Sequence, residues 1–118
     1  MENTEISIEA NPDDLTKDKI KELSENFNRI SIGVQSFFDK DLELMNRSHD
    51  SNQAKNSIEL TKKYFDNISI DLIYGIPGLT DYKWRKNIKT AKNYNLPHIS
   101  AYALTVEPNT VLSKLIQN

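Results

Sequence analysis

Four short runs rich in isoleucine, valine and tyrosine alternate with stretches of helical periodicity, and this alternation constrains the fold more than any other feature of the chain. The runs are EISIEA at 5–10, RISIGV at 29–34, NISIDLIY at 67–74 and HISAYALTV at 98–106, each bounded by turn-forming residues. Between them, Ile20, Leu23 and Phe27 follow i, i+3, i+7 spacing, and Leu42 and Met45 mark a shorter helix after Asp39. Ala54, Ile58 and Phe65 lie near one face of a third helix, and Trp84, Ile88 and Ala91 give i, i+4, i+7 for the next. Ser51 and Thr80 stand where N-caps would. The order is β-α-β-α-α-β-α-β, with a further short helix from about Thr110. It predicts an α/β fold: about four parallel strands joined by right-handed crossovers, with helices on the outer face. Pro12, Pro77 and Pro108 each follow a strand and Pro97 precedes one, as strand boundaries require. Four parallel strands leave two edges that natural sheets cover or close. Residues 1–118 therefore read as a single partial domain, a piece of a larger barrel or sheet.

Composition removes several classes of function. Apolar residues make up 37% of 118 and charged residues 27%, with a net charge of −2. Lysine and arginine are spread along the chain without a basic block, so no nucleic-acid partner is expected. No apolar run approaches the ~20 residues of a membrane span, and the first ten residues lack the pattern of a secretory signal. Cysteine is absent, which removes disulfides, thiolate metal sites and cysteine nucleophiles. The only glycines are Gly33, Gly75 and Gly78, so no Gly-rich phosphate loop follows a strand.

Asp71 poses the sharpest question. It sits inside the apolar run Ile70, Leu72, Ile73 and Tyr74, where an unsatisfied carboxylate costs several kcal/mol on the order of a buried unpaired charge. In parallel α/β folds, ligands meet the C-terminal ends of strands. Glu9 ends the first strand, Gln35 the second, and Thr105 and Glu107 close the fourth. Two carboxylates and an amide at neighbouring strand ends can read ribose hydroxyls or another polyol. Arg47 can hold a carboxylate or phosphate through paired hydrogen bonds. The residue types also admit plainer roles. Glu9 and Gln35 can serve as turn residues, Asp71 can pair with Arg29 or a lysine, and Arg47 can be solvated. His49 and His98 read as surface or loop residues, since two histidines without cysteine make a poor metal set.

Taken together, SIEANP, RISIGVQSF, NRSH, NISIDLIYGIPG and HISAYALTVEPNT resemble the radical S-adenosylmethionine family that contains oxygen-independent coproporphyrinogen III oxidase and its heme-chaperone relatives. The resemblance implies a partial (β/α)6 barrel in which a [4Fe-4S] cluster, held by a Cys-x3-Cys-x2-Cys loop, binds and reductively cleaves S-adenosylmethionine. It implies that Glu9 contacts that cofactor, that Gln35 and Asp71 bind its ribose, and that Arg47 holds its methionyl carboxylate. Ile73 and Thr105 would line the adenine. The chain departs from the family pattern in having no cysteine, so the cluster ligands of the parent are absent. It matches the middle-to-end portion of the barrel and is not expected to carry radical chemistry alone.

The resemblance implies the S-adenosylmethionine-binding part of an oxidase-like protein of heme and porphyrin metabolism, in the cytoplasm, with porphyrin or heme as the parent's partner. An alternative is a heme-binding and heme-delivering chaperone of the same family; GVQSF, the Arg-x-His of NRSH and SAYALTVEPNT resemble that branch. From residues alone, a further alternative is an open-sheet ribose-binding domain with no radical role. The isolated chain is expected to self-associate through its exposed sheet edge, with Ile6, Ile8 and Tyr102 adding apolar surface.

Overall fold

Isoleucine, valine and leucine at every second position of two central strands decide how the layers stack. The computed structural model describes residues 5–76, 78 and 80–103. Its elements are β1 (Ser7–Ala10), a 3-10 turn (Pro12–Asp14), α1 (Lys17–Asn26), β2 (Arg29–Gln35), α2 (Asp39–Leu44), α3 (Ser51–Thr61), β3 (Ile68–Tyr74), α4 (Asp81–Asn93) and β4 (His98–Ala103). The strands form one sheet in the order β1-β2-β3-β4. Every neighbouring pair is parallel, as the strand–helix alternation requires. The fold is an open α/β sheet. Pro77, Thr105, Glu107, Pro108 and the helix expected from about Thr110 lie outside the described residues.

Ile30, Ile32 and Val34 of β2 and Ile68, Ile70 and Leu72 of β3 join one buried cluster with Ile20, Leu23, Ala54, Ile58 and Ala91 of the helices. Burial of each large aliphatic side chain contributes about 1.5–3 kcal/mol. Because α1, α3 and α4 all deliver their apolar stripes to this one cluster, the alternate residues of the strands face away from it. On β2 these are Arg29, Ser31, Gly33 and Gln35, and on β3 they include Asp71 and Ile73. Asp71 thus lies on the open face of the sheet rather than among the helices.

Local signals set the boundaries. Thr16 Oγ1 accepts the Lys19 N–H and Thr80 Oγ1 the Lys83 N–H, each at 3.2 Å. The cap of α3 is Asp50, one residue before the expected Ser51. Its carboxylate accepts the Gln53 N–H at 2.8 Å while Gln53 Oε1 accepts the Asp50 N–H at 2.9 Å, a reciprocal arrangement that serine at 51 cannot supply. α2 stops at Asn46, whose φ is 60°; there the Asn46 N–H bonds Glu43 O and the Arg47 N–H bonds Leu42 O.

Two expectations are corrected. His49 is a loop residue but not a surface one: it is buried, with Nε2 3.0 Å from Val34 O. Ile8 adds only part of its apolar surface, because it packs partly buried against the core cluster, whereas Ile6 and Tyr102 remain exposed. No helix among the described residues is long and apolar enough to cross a membrane.

Candidate cofactor-binding face

Parallel register places the polar strand residues side by side. Glu9 pairs with Ser31 across β1 and β2, and Ser31 with Ser69 across β2 and β3. One step further along, the Ser31 hydroxyl donates to Asp71 Oδ1 at 3.4 Å, a long hydrogen bond. The result is a polar depression of about 280 Å³ lined by Glu9, Asn11, Ser31, Gly33, Gln35 and Asp71.

Gln35 enters this depression through an irregularity at the end of β2. Ile32 pairs with Ile70 but Gln35 with Leu72, so β2 spends one more residue than β3 over the same span. Gln35 has φ 72°, and the Ser36 N–H closes onto Val34 O at 2.8 Å. This is a three-residue turn of the strained, positive-φ kind. A non-glycine residue held there costs about 1–3 kcal/mol. The turn brings the Gln35 amide over Gly33. A Cβ on Gly33 would lie 2.9 Å from Gln35 Nε2 and 3.4 Å from Asn11 Oδ1, so the bare glycine is what leaves room for the amide.

Asp71 has weak electrostatic support. Its removal from water, and next the negative charge of Glu9, hold its carboxyl above the usual aspartate range; the Ser31 hydroxyl and the more distant Arg29 oppose this. Arg29 is not its ion-pair partner. The guanidinium pairs with Glu5 at 3.6 Å and donates to Ser69 Oγ at 3.4 Å. No lysine or arginine lies within ion-pair distance of Asp71 among the described residues. A half-buried carboxylate with one weak donor has free acceptor capacity. Neighbouring hydroxyls of a ribose supply two donors to it, and the Gln35 amide can both donate and accept beside them.

Of the residues singled out from the sequence, Glu9, Gln35 and Asp71 meet in this depression. Ile73 follows Asp71 on the same face and is half-buried. Arg47 does not join them. It lines a separate depression of about 340 Å³ with Asp39, Glu43, His49 and Asp50, and its guanidinium forms no ion pair among the described residues. Thr105 lies outside the described residues. Sequence reasoning missed Ser31, Gly33 and Asn11. The signal available for the first two was the run of small residues on alternate positions of SIGVQ, which leaves the open face of β2 bare of bulk.

The depression fits a polyol-bearing cofactor in its donor and acceptor set. The chain does not fit an iron–sulfur cluster: it has no cysteine, and no group of three or more potential metal-ligating side chains occurs among the described residues.

The family model described as the Radical SAM superfamily matches residues 1–91. The heme chaperone HemW of Bacillus subtilis is 43% identical over 97% of the chain. That of Buchnera aphidicola from Acyrthosiphon pisum is 44% identical over 98%. The chain spans 31% of the length of each. Among solved structures, the coproporphyrinogen III oxidase HemN of Escherichia coli, described as a radical SAM enzyme, superposes with a TM-score of 0.79 at 30% identity, covering 94% of this chain and 26% of that one.

Proposed function

The chain belongs to the radical SAM superfamily, and on that premise we propose that it forms the S-adenosylmethionine-binding face of a heme-chaperone-like protein. The observation that carries the reading is the half-buried Asp71, which forms no ion pair among the described residues, in one polar depression with the Gln35 amide that lies over Gly33. Gln35 and Asp71 bind the ribose hydroxyls, Glu9 contacts the same cofactor from β1, and Ile73 and Thr105 line the adenine. Arg47, which lines its own depression and forms no ion pair among the described residues, is the group for the methionyl carboxylate. S-adenosylmethionine bound beside a reduced cluster supplies radical chemistry; in this chain the residues bind and orient it, and the cluster ligands must come from elsewhere.

Heme is the partner this reading assigns to the full-length protein, because HemW proteins of two bacteria match nearly the whole chain at over 40% identity. A second reading, oxidative decarboxylation of a porphyrinogen, is favoured by the superposition on the oxidase HemN. A reducing, cytoplasmic setting is part of the same proposal, since it preserves an iron–sulfur cluster. The deciding experiment takes the full-length, cluster-loaded protein. Heme binding and transfer to an apo-hemoprotein without porphyrinogen decarboxylation supports the chaperone; decarboxylation with turnover of S-adenosylmethionine replaces it with the oxidase. No binding of S-adenosylmethionine by calorimetry overturns both.

A further inference from the structure

α4 carries one fully buried polar residue, Asn87, and its side chain serves the loop after β2 rather than its own helix. Asn87 Oδ1 accepts the Phe37 N–H at 3.0 Å, and Nδ2 donates to Ser36 Oγ at 3.2 Å. The Ser36 hydroxyl also accepts the Phe38 N–H at 3.1 Å and donates to Asp41 Oδ2 at 2.8 Å. The other oxygen of Asp41 meets Lys83 Nζ at 3.4 Å, one helical turn before Asn87. From the opposite side, His49 Nε2 lies 3.0 Å from Val34 O, the same carbonyl that closes the turn with the Ser36 N–H.

Gln35 is the residue between these two grips. Glutamine gains nothing locally from a φ of 72°, and such a conformation persists only where the surroundings over-determine it. The surroundings here are a buried hydrogen-bonded set in which Ser36, Asp41 and Asn87 each have partners, a costly arrangement unless complete. A loop that merely joined β2 to α2 would do as well with glycine at 35, where positive φ costs nothing. What the strain achieves is the placement of the Gln35 amide over Gly33, inside the depression.

We propose that Asn87 is a positioning residue for cofactor binding: by clamping the Phe37 N–H and the Ser36 hydroxyl from α4, it holds the strained turn that presents Gln35 to the ribose. This rests on the reading of the depression as a ribose site. The test uses the full-length, cluster-loaded protein, with S-adenosylmethionine and its 2′,3′-dideoxy analogue as probes in calorimetric titrations. Asn87→Ala weakens S-adenosylmethionine by about 2- to 12-fold, the equivalent of one neutral hydrogen bond, and leaves the dideoxy analogue nearly unchanged. In a Gln35→Ala background it causes no further loss. Equal weakening of both probes, or a full additional loss in that background, overturns the proposal. Ser36→Ala, which keeps the Asn87 bond to Phe37, shows the same pattern and serves if Asn87→Ala does not fold. Denaturant unfolding of Gln35→Gly gives an independent readout: the variant is more stable, since glycine adopts positive φ without strain, and the absence of any gain overturns the strained turn whatever the ligands do. If the unaltered protein binds both probes equally, the ribose reading fails, and with it the role of Asn87 toward the cofactor, while Gln35→Gly still reports whether the turn is strained.

Discussion

Gly33→Ala separates the needs of the fold from the needs of the site. Gly33 is a β2 residue and is not among the positions of positive φ, so alanine adopts its backbone without strain. In a strand interior, alanine in place of glycine gains about 0.5–1 kcal/mol from the smaller entropy loss on folding. The new methyl meets no backbone closely: its nearest neighbours are Gln35 Nε2 at 2.9 Å and Asn11 Oδ1 at 3.4 Å, with Ala10 O at 3.8 Å. Only the first contact is prohibitive, and the atom that must yield is the far end of a flexible side chain. The amide therefore swings out of the depression at little cost to the fold. Binding loses the hydrogen bonds of Gln35 to the ligand, about 0.5–1.5 kcal/mol for each neutral bond, or about 2- to 12-fold in Kd per bond.

Two measurements on the full-length protein test this: denaturant unfolding, and calorimetric titration with S-adenosylmethionine. The expected pair of results is unchanged or raised stability together with weakened binding. Unchanged affinity would show that the amide does not need the space over Gly33. A loss of stability beyond about 1 kcal/mol, the scale of the expected backbone gain with its sign reversed, would show that the methyl presses on backbone instead.

Asp71→Asn should move stability and binding in opposite directions. The Asp71 carboxyl is raised in the folded state above its ordinary 3.8, so the native state holds more protons across that window and stability falls as pH rises through it. The variant is thus more stable than the parent protein at neutral pH, with the difference vanishing below pH 3.8, while its cofactor affinity drops; a stability advantage that persists in acid would contradict the assignment. Asp50→Ala should lower stability by about 1 kcal/mol through loss of the reciprocal cap with Gln53, read as a shift in the denaturant midpoint without a change in slope. The isolated 118-residue chain should self-associate in light scattering, because the outer edge of β1 lies unpaired among the described residues and Ile6 and Tyr102 are exposed; a monomer at roughly tens of micromolar, within the micromolar-to-millimolar range where unpaired strand edges associate, would count against it.

The sheet was legible because β2 and β3 each write their two faces in alternate letters. Ile30, Ile32 and Val34 declare one side of β2, and the small or polar Ser31, Gly33 and Gln35 declare the other. The helices were legible from stripes such as Ala54 and Ile58, whose burial the core requires. The turn at Gln35 was not legible. Positive φ is signalled in sequence by glycine or asparagine, as at Gly78 and Asn46, whereas at Gln35 it is imposed by contacts from residues 36, 49 and 87. Asn87 was hidden for the same reason: between Trp84 and Ile88 it reads as one more polar helix position, and only the approach of the β2–α2 loop makes it a buried one. The burial of His49 was hidden as well, because nothing local reports that Val34 O lies 3.0 Å away.

These failures share a physical origin, and it bears on the site. Propensity and periodicity describe what a segment prefers by itself, so they fail where distant groups over-rule that preference. Here they fail around one residue, Gln35, and they fail toward higher cost: a strained φ, a buried amide on α4 and a buried carboxylate on α2. Asp71, in the same depression, shows the same pattern. It is left half-buried beside Glu9 without an ion-pair partner among the described residues, although Arg29 stands on the same face of the neighbouring strand; Arg29 pairs with Glu5 and opposes the rise of the Asp71 carboxyl only from a distance. A chain under selection for stability alone would lose both features with single substitutions, glycine at 35 and asparagine at 71. Their coincidence within one depression is what a site paying for ligand binding with folding free energy looks like. The same coincidence orders the experiments. Substitutions that relieve either cost should raise stability as they lower affinity, and a variant that improved both would remove the reason for placing the ligand there.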